Sequence, residues 1–327
     1  MKFKVIALTF LLGLSSCRGC HKKDLLENET QNQEAYAQAR EYYRLSLSQQ
    51  DSYGYIEPKC DSTTFTALYC IWSGMTKEEC PVYQSQSKDT PGLWFRHAEH
   101  DCFDSEESQT DNSRDQSLML AILFWHYQDL KSVEEIIAYG ESNGFIMGRS
   151  RDLSSELGRS YWPPTFTAIY YELLYRLGGG DRRDERKLLQ RVGVPTSGFT
   201  SHLQANRILL NGILTGWISD SDVFGELDWL RTQTKKEPNN ALYKFIRARF
   251  DPDYSFEEGY KTLLNINHFP PKMLPSNHEN HCTHYLYQRD EDKKDWIPCK
   301  DKKFEIFHGN DFGWAECVSR DGCIRGT

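Results

Sequence analysis

Two aspartates and a histidine stand where polar sequence gives way to apolar sequence, at Asp61, Asp115 and His202. Two carboxylates facing one glycosidic bond can divide general-acid and general-base work, and an imidazole can serve as a base in hydrolysis or elimination. Around them are groups suited to holding a sugar chain. Trp94, Tyr161 and Trp162 offer ring faces for stacking, while Arg96, Arg114 and Asn240 can bind hydroxyls or uronate carboxylates. His97 and Asp311 belong to the same inventory. Each residue also has an ordinary structural reading. An aspartate at a helix start caps first-turn amides, and Arg114 beside Asp115 can form a structural ion pair. Trp162 before Pro163-Pro164 can staple a loop, and a single histidine near a helix start can simply be hydrogen-bonded.

Other chemistries find less in the chain. His278, His281, Cys282 and His284 are metal-ligating types, but they lack the His-Glu-x-x-His spacing, and Cys282 in an oxidising compartment suits a disulfide better. Neither a phosphate-binding glycine loop nor a dinucleotide fingerprint occurs. The expectation is therefore no metal and no cofactor.

The elements that must position these groups read as helices, with apolar residues at spacings of three and four. One class opens on a polar or aromatic cluster and then turns strongly apolar. Its members begin at Asp61-Ser-Thr-Thr-Phe-Thr-Ala, Ser113-Arg-Asp-Gln-Ser-Leu, Trp162-Pro-Pro-Thr-Phe-Thr-Ala, Thr200-Ser-His-Leu, Asn239-Asn-Ala-Leu and Asn310-Asp-Phe-Gly-Trp. The openings supply N-caps, and Pro163 suits a first turn. A second class keeps a charged face: 34–49, 130–142, 183–192, 220–235 and 256–266. Helices apolar most of the way round are buried and two-faced helices lie at the surface. The alternation predicts an all-α fold, an (α/α)6-type toroid of parallel inner and antiparallel outer helices, with an irregular helical bundle as the alternative. In a toroid all six inner openings would meet at one rim, and the site residues with them.

This layout resembles the toroids of many glycoside hydrolases and polysaccharide lyases, which bind sugar chains where the inner helices converge. The resemblance lies in layout and in the style of the helix starts. It implies a glycan-processing cleft at the rim, or, without catalysis, a surface that binds a glycan, peptide or partner protein.

The chain carries a formal charge of −8, with 47 acidic against 39 Lys and Arg residues, which argues against a nucleic-acid partner. Its ten cysteines suit an exported protein. Cys60, Cys70, Cys80 and Cys102 form one set of disulfide candidates and Cys282, Cys299, Cys317 and Cys323 another, with connectivity open. At the start, Lys2 and Lys4 precede a mostly apolar run from Val5 to Leu14, too short to span a bilayer and of signal-peptide length. The run closes on Leu14-Ser15-Ser16-Cys17, which resembles the lipobox of bacterial lipoproteins. That resemblance implies cleavage before Cys17, a diacylglyceryl thioether and an acylated amine on Cys17, and a membrane as partner. Arg18 is not the aspartate associated with inner-membrane retention, which leans toward the outer membrane. The expected organisation is a leader over 1–16, a lipidated polar tether over 17–33 and one helical domain over 34–327, facing peptidoglycan or another polysaccharide.

Overall fold

The computed structural model describes residues 18–47, 50–56, 62–99, 112–149, 159–182, 184–185, 201–219, 225–265, 274–276, 304–306 and 309–325. Within these it describes the backbone alone at 18–29, 45, 62, 149, 159–160, 201–202, 274–276, 304–306 and 309–311. The protein is all-α. Its helices are α1 (Arg18–Ser46), α2 (Ser62–Ser73), α3 (Arg114–His126), α4 (Leu130–Ser142), α5 (Pro164–Arg176), α6 (Ser201–Thr215), α7 (Glu226–Lys236), α8 (Ala241–Phe250), α9 (Phe256–Leu263) and α10 (Gly309–Ser319). Two short antiparallel pairs accompany them, β1 (Ile146–Arg149) with β2 (Arg159–Tyr161) and β3 (Leu274–Ser276) with β4 (Phe304–Ile306). Among the described residues no helix is long and apolar enough to cross a membrane.

All six polar openings start helices, and the difference between the two classes is physical. In α3 every residue from Gln116 to His126 is buried, so the helix meets protein on all sides. In α4 burial follows Val133, Ile136, Ile137 and Gly140, one stripe at helical spacing. Caps agree with the residue types. Asp129 accepts from the Ser132 amide at 3.3 Å, Asn240 from the Tyr243 amide at 3.3 Å, and Ser255 from the Glu257 amide at 3.1 Å.

The class with polar openings shares one core. Helix α2 packs on α3, α3 on α5, α5 on α6, α6 on α8, α8 on α10, and α10 on α2, while α3 also meets α6. Specific bonds tie like ends together. At the C-terminal end of α3 the Tyr127 hydroxyl donates to the Met75 carbonyl, just past α2, at 2.9 Å. Arg249, near the end of α8, donates from Nη2 to the Val318 and Arg320 carbonyls at the end of α10, both at 2.8 Å. Two of the charged-face helices, α1 and α9, run opposite to the helix they pack on. Arg40 of α1 reaches the Ser73 carbonyl at 3.4 Å while Ser46 donates to the Tyr69 hydroxyl at 2.8 Å, so α1 descends α2 in reverse. Lys244, early in α8, meets Thr262, late in α9, at 2.6 Å.

Close approach depends on glycine at the α10–α2 contact. A Cβ on Gly313 would lie 2.3 Å from the indole of Trp72, a ring that is itself buried. Two disulfides fall within the two cysteine sets, Cys70–Cys80 with its Cα atoms 5.5 Å apart and Cys317–Cys323 with its Cα atoms 5.4 Å apart. Cys60, Cys102, Cys282 and Cys299 lie outside the described residues. Each observed bridge closes a short loop, so replacing Cys80 by serine is expected to lower unfolding free energy by roughly 2 to 3 kcal/mol in denaturant titration. An unchanged transition midpoint would mean that the bridge does not constrain the unfolded chain.

The polar stretch after Cys17, expected as an unordered tether, is helical from Arg18 onward and continues without a break into α1. Its Glu, Gln, Lys and Ala are acceptable helix formers, and Ala35, Ala39 and Tyr42 give the helix a buried stripe from which it extends. Of the outer helix expected over 183–192, only residues 184–185 are described.

Candidate functional site

Among the helix openings, those of α3 and α5 are the best defined. Ser113 starts α3, and its amide donates to the Gln116 side-chain oxygen at 2.8 Å while its hydroxyl donates to the half-buried Asp115 carboxylate. Arg114 is exposed beside them. Behind this turn Asn112 is only 1% exposed. Its Oδ1 accepts from the Ser117 hydroxyl at 3.3 Å, and its Nδ2 has no acceptor among the described residues.

A single bond joins this opening to α5. The Tyr170 hydroxyl donates to the Ser117 carbonyl at 2.6 Å, and burial holds the phenol well above its ordinary pKa, so it remains a donor. Trp162 stacks on the Tyr170 ring with centroids 4.1 Å apart and faces Phe145 on its other side at 6.3 Å. Both faces of Trp162 are thus taken up by protein, and the residue is 5% exposed. Tyr161, next in the chain, is 44% exposed and does offer its ring.

The α2 opening is closed by a strap. The Thr63 amide and hydroxyl both donate to the Arg96 carbonyl, at 3.0 and 2.7 Å, and lay the chain around residues 93–97 across the helix start. Trp94 on this strap is fully buried, between Tyr83 at 5.7 Å and Phe124 at 5.3 Å. His97 accepts the Glu99 amide at Nδ1, at 3.1 Å, which leaves its proton on Nε2 to donate to Asp51 at 2.7 Å. With both nitrogens engaged and Tyr53 and Tyr55 packed on it, this imidazole is a clasp for the strap.

Other expected site residues distribute as follows. Asn240 is buried, capping α8 and donating from Nδ2 to Glu237 at 3.1 Å. His202 lies in the first turn of α6 and Asp311 in that of α10, and neither side chain is described. Asp61 and the His278–His284 segment lie outside the described residues. Among the described residues no three His, Cys, Asp or Glu side chains gather as a metal site. Two buried acids not singled out from sequence, Glu172 and Glu316, are paired along their own helices with Arg176 at 2.7 Å and Arg320 at 2.6 Å. Burial pushes the Glu316 carboxyl above its ordinary pKa, against the pull of Arg320.

Two further residues escaped attention in the sequence. The quartet Thr-Phe-Thr-Ala occurs twice, at Thr64–Ala67 and Thr165–Ala168, each in a first helical turn. In both copies the leading threonine is buried and its hydroxyl has no partner among the described residues. A buried hydroxyl left unpaired costs about 1 to 3 kcal/mol, so the repetition at α2 and α5 marks positions that want a polar partner. The signal was present in the repeated quartet.

No protein-family model matches the chain, and no curated protein or solved structure proves similar to it.

Proposed function

We propose that this is a lipid-anchored cell-envelope protein, an (α/α)6-type toroid whose helix-opening rim binds a glycan. Support for the ring comes from the cyclic order of neighbours from α2 through α10 and back, and from like ends meeting at Met75, Val318 and Arg320. Support for the anchor is the lipobox ending at Cys17. The observation that carries the binding reading is the joint opening of α3 and α5. At these two openings Tyr161 and Arg114 are exposed, Asp115 is half-buried, and the Asn112 amide nitrogen and Thr165 hydroxyl have no partner among the described residues. Aromatic face, guanidinium and hydrogen-bonding groups are what a hydroxylated ring requires. Binding is favoured over chemistry because Asp115 is held by Ser113, while the buried acids Glu172 and Glu316 are paired along their own helices and Asp129, Glu226 and Asp251 with Lys77, Arg207 and Arg231.

The test is a screen of peptidoglycan fragments, uronate polymers and neutral glycans by calorimetry. Tyr161→Ala, an exposed substitution that spares the core, is expected to weaken binding by roughly two- to tenfold, the range of one aromatic contact. Absence of binding to every glycan, or full affinity in the variant, would sink the reading. Turnover that falls about a hundredfold in Asp115→Asn would instead establish a hydrolase or lyase.

A further inference from the structure

The turn from α4 into β1 carries more backbone irregularity than ending a helix requires, and it lies directly beside the strand of Tyr161. Helix α4 ends in a Schellman arrangement, with Gly144 left-handed at φ 61° and the Phe145 amide donating back to the Gly140 carbonyl at 2.6 Å. Glycine adopts that conformation freely. Phe145 is left-handed as well, at φ 60°, where a bulky side chain is disfavoured and the motif asks for none. Two residues on, β1 bulges. Ile146 pairs with Tyr161 and Gly148 with Ser160, so Met147, which is buried, is the extra residue.

The two irregularities flank Ile146, the partner of Tyr161. A Cβ on Gly140 would lie 3.0 Å from the Phe145 ring and 3.4 Å from the Met147 sulfur, so both side chains close over the last turns of α4. From there the Phe145 ring faces Trp162 with 22° between their planes, and the Phe145 carbonyl accepts from the Trp162 amide at 3.0 Å. Phe145 therefore holds, by ring and by backbone, the residue that follows Tyr161. Among the described residues no hydrogen bond, ion pair or ring contact fixes the Tyr161 side chain itself. Its direction is set by the backbone on either side. Neighbouring side chains of an extended chain point to opposite faces, so a Trp162 held inward sends Tyr161 outward.

We propose that Phe145 is the positioning residue of the Tyr161 ring, a role that deepens the glycan-binding reading and rests on it for what the ring touches. The left-handed backbone at Phe145 lays its ring and its carbonyl against Trp162 together, and the bulge at Met147 keeps Ile146 opposite Tyr161 while both side chains stay on α4. Strained residues of this kind persist where the surrounding structure over-determines them, and they gather at ligand sites.

The test places fluorotyrosine at position 161 of the full chain and reads it by fluorine NMR without ligand. One narrow resonance is expected in the parent chain and in Phe145→Tyr, which keeps the ring. In Phe145→Leu, which keeps apolar bulk without the ring face, the resonance is expected to shift and broaden by about twofold or more. Phe145→Gly relaxes the backbone and so spares folding, and the same broadening is expected because the ring is gone. Cys80→Ser lowers stability at a distant bridge and should leave the resonance as it is. With peptidoglycan fragments as the ligand, Phe145→Leu is expected to weaken binding by roughly the two- to tenfold of Tyr161→Ala, and the double variant no further than either alone. A resonance unchanged in both Phe145→Leu and Phe145→Gly, or changed equally in Cys80→Ser, overturns the positioning role, and so do additive losses in the double variant. No binding together with a broadened resonance removes the glycan reading and upholds the positioning role.

Discussion

Replacing Asp251 by alanine is expected to destabilise the protein by about 2 to 3 kcal/mol, because it strips the shared acceptor from two arginines in a covered junction. Asp251 ends α8 and is 1% exposed. Its Oδ2 accepts from Arg231 Nε of α7 at 3.2 Å and from Arg247 Nε of α8 at 2.9 Å, so one carboxylate ties the two helices together. Arg247 is further fixed by Thr234 at 3.0 Å and lies over the Tyr254 ring at 3.9 Å. The arginine side chains keep 34% and 17% of their exposure, which places the cost below that of a fully buried pair. Burial by itself pushes the Asp251 carboxyl up, but the Arg231 and Arg247 hydrogen bonds outweigh it and hold the pKa below the ordinary 3.8. The unfolded chain therefore binds the proton more readily than the folded one. The stabilisation is fully present above about pH 4 and is lost as pH falls through the folded value. Urea titrations of wild type and Asp251→Asn should differ at pH 7 and draw together at pH 3. A gap independent of pH would assign the effect to packing rather than charge.

Cys17→Ser is expected to remove every acyl chain from the protein. In the wild type the mature N-terminal peptide should begin at Cys17 and carry the mass of a diacylglyceryl group and an amide-linked chain. Each buried methylene contributes about 0.8 kcal/mol, so two or more chains hold against washing where a single chain would not. The membrane fraction should therefore resist salt and release only to detergent. The serine variant offers no thiol for the thioether, so no acylated peptide should be found and the leader should remain uncleaved. A wild-type chain whose N-terminal peptide is unmodified, or begins elsewhere than Cys17, would end the lipoprotein reading.

The six openings of α2, α3, α5, α6, α8 and α10 were legible because they are local. A cap needs an oxygen within three residues of the amide it serves, and the apolar run that follows declares whether a helix will be enclosed. The extension of α1 through the polar stretch was not legible. Composition there speaks against a packed face, whereas helix continuation depends on a turn already formed further along, at Ala35 and Ala39.

The rim was legible in residue type but not in exposure. Trp94 and Trp162 are suited to stacking, yet one lies under the strap that Thr63 binds and the other between Tyr170 and Phe145. Asn240 is a sound hydrogen-bonding residue whose oxygen and nitrogen are both occupied within three residues, by the Tyr243 amide and Glu237. Tyr161 is different only because no element covers it.

From the sequence by itself came the helical class, the alternation of enclosed and two-faced helices and the local cysteine sets, since each depends on neighbours a few residues apart. Only the tertiary structure decided which aromatic rings remain open, that Thr64 and Thr165 lie buried without a partner among the described residues, and that α1 runs opposite to α2. Those outcomes depend on which segment comes to lie against which across long separations, as Arg40 does on Ser73 and Tyr170 on Ser117. Periodicity describes the face a helix will bury and leaves open what buries it.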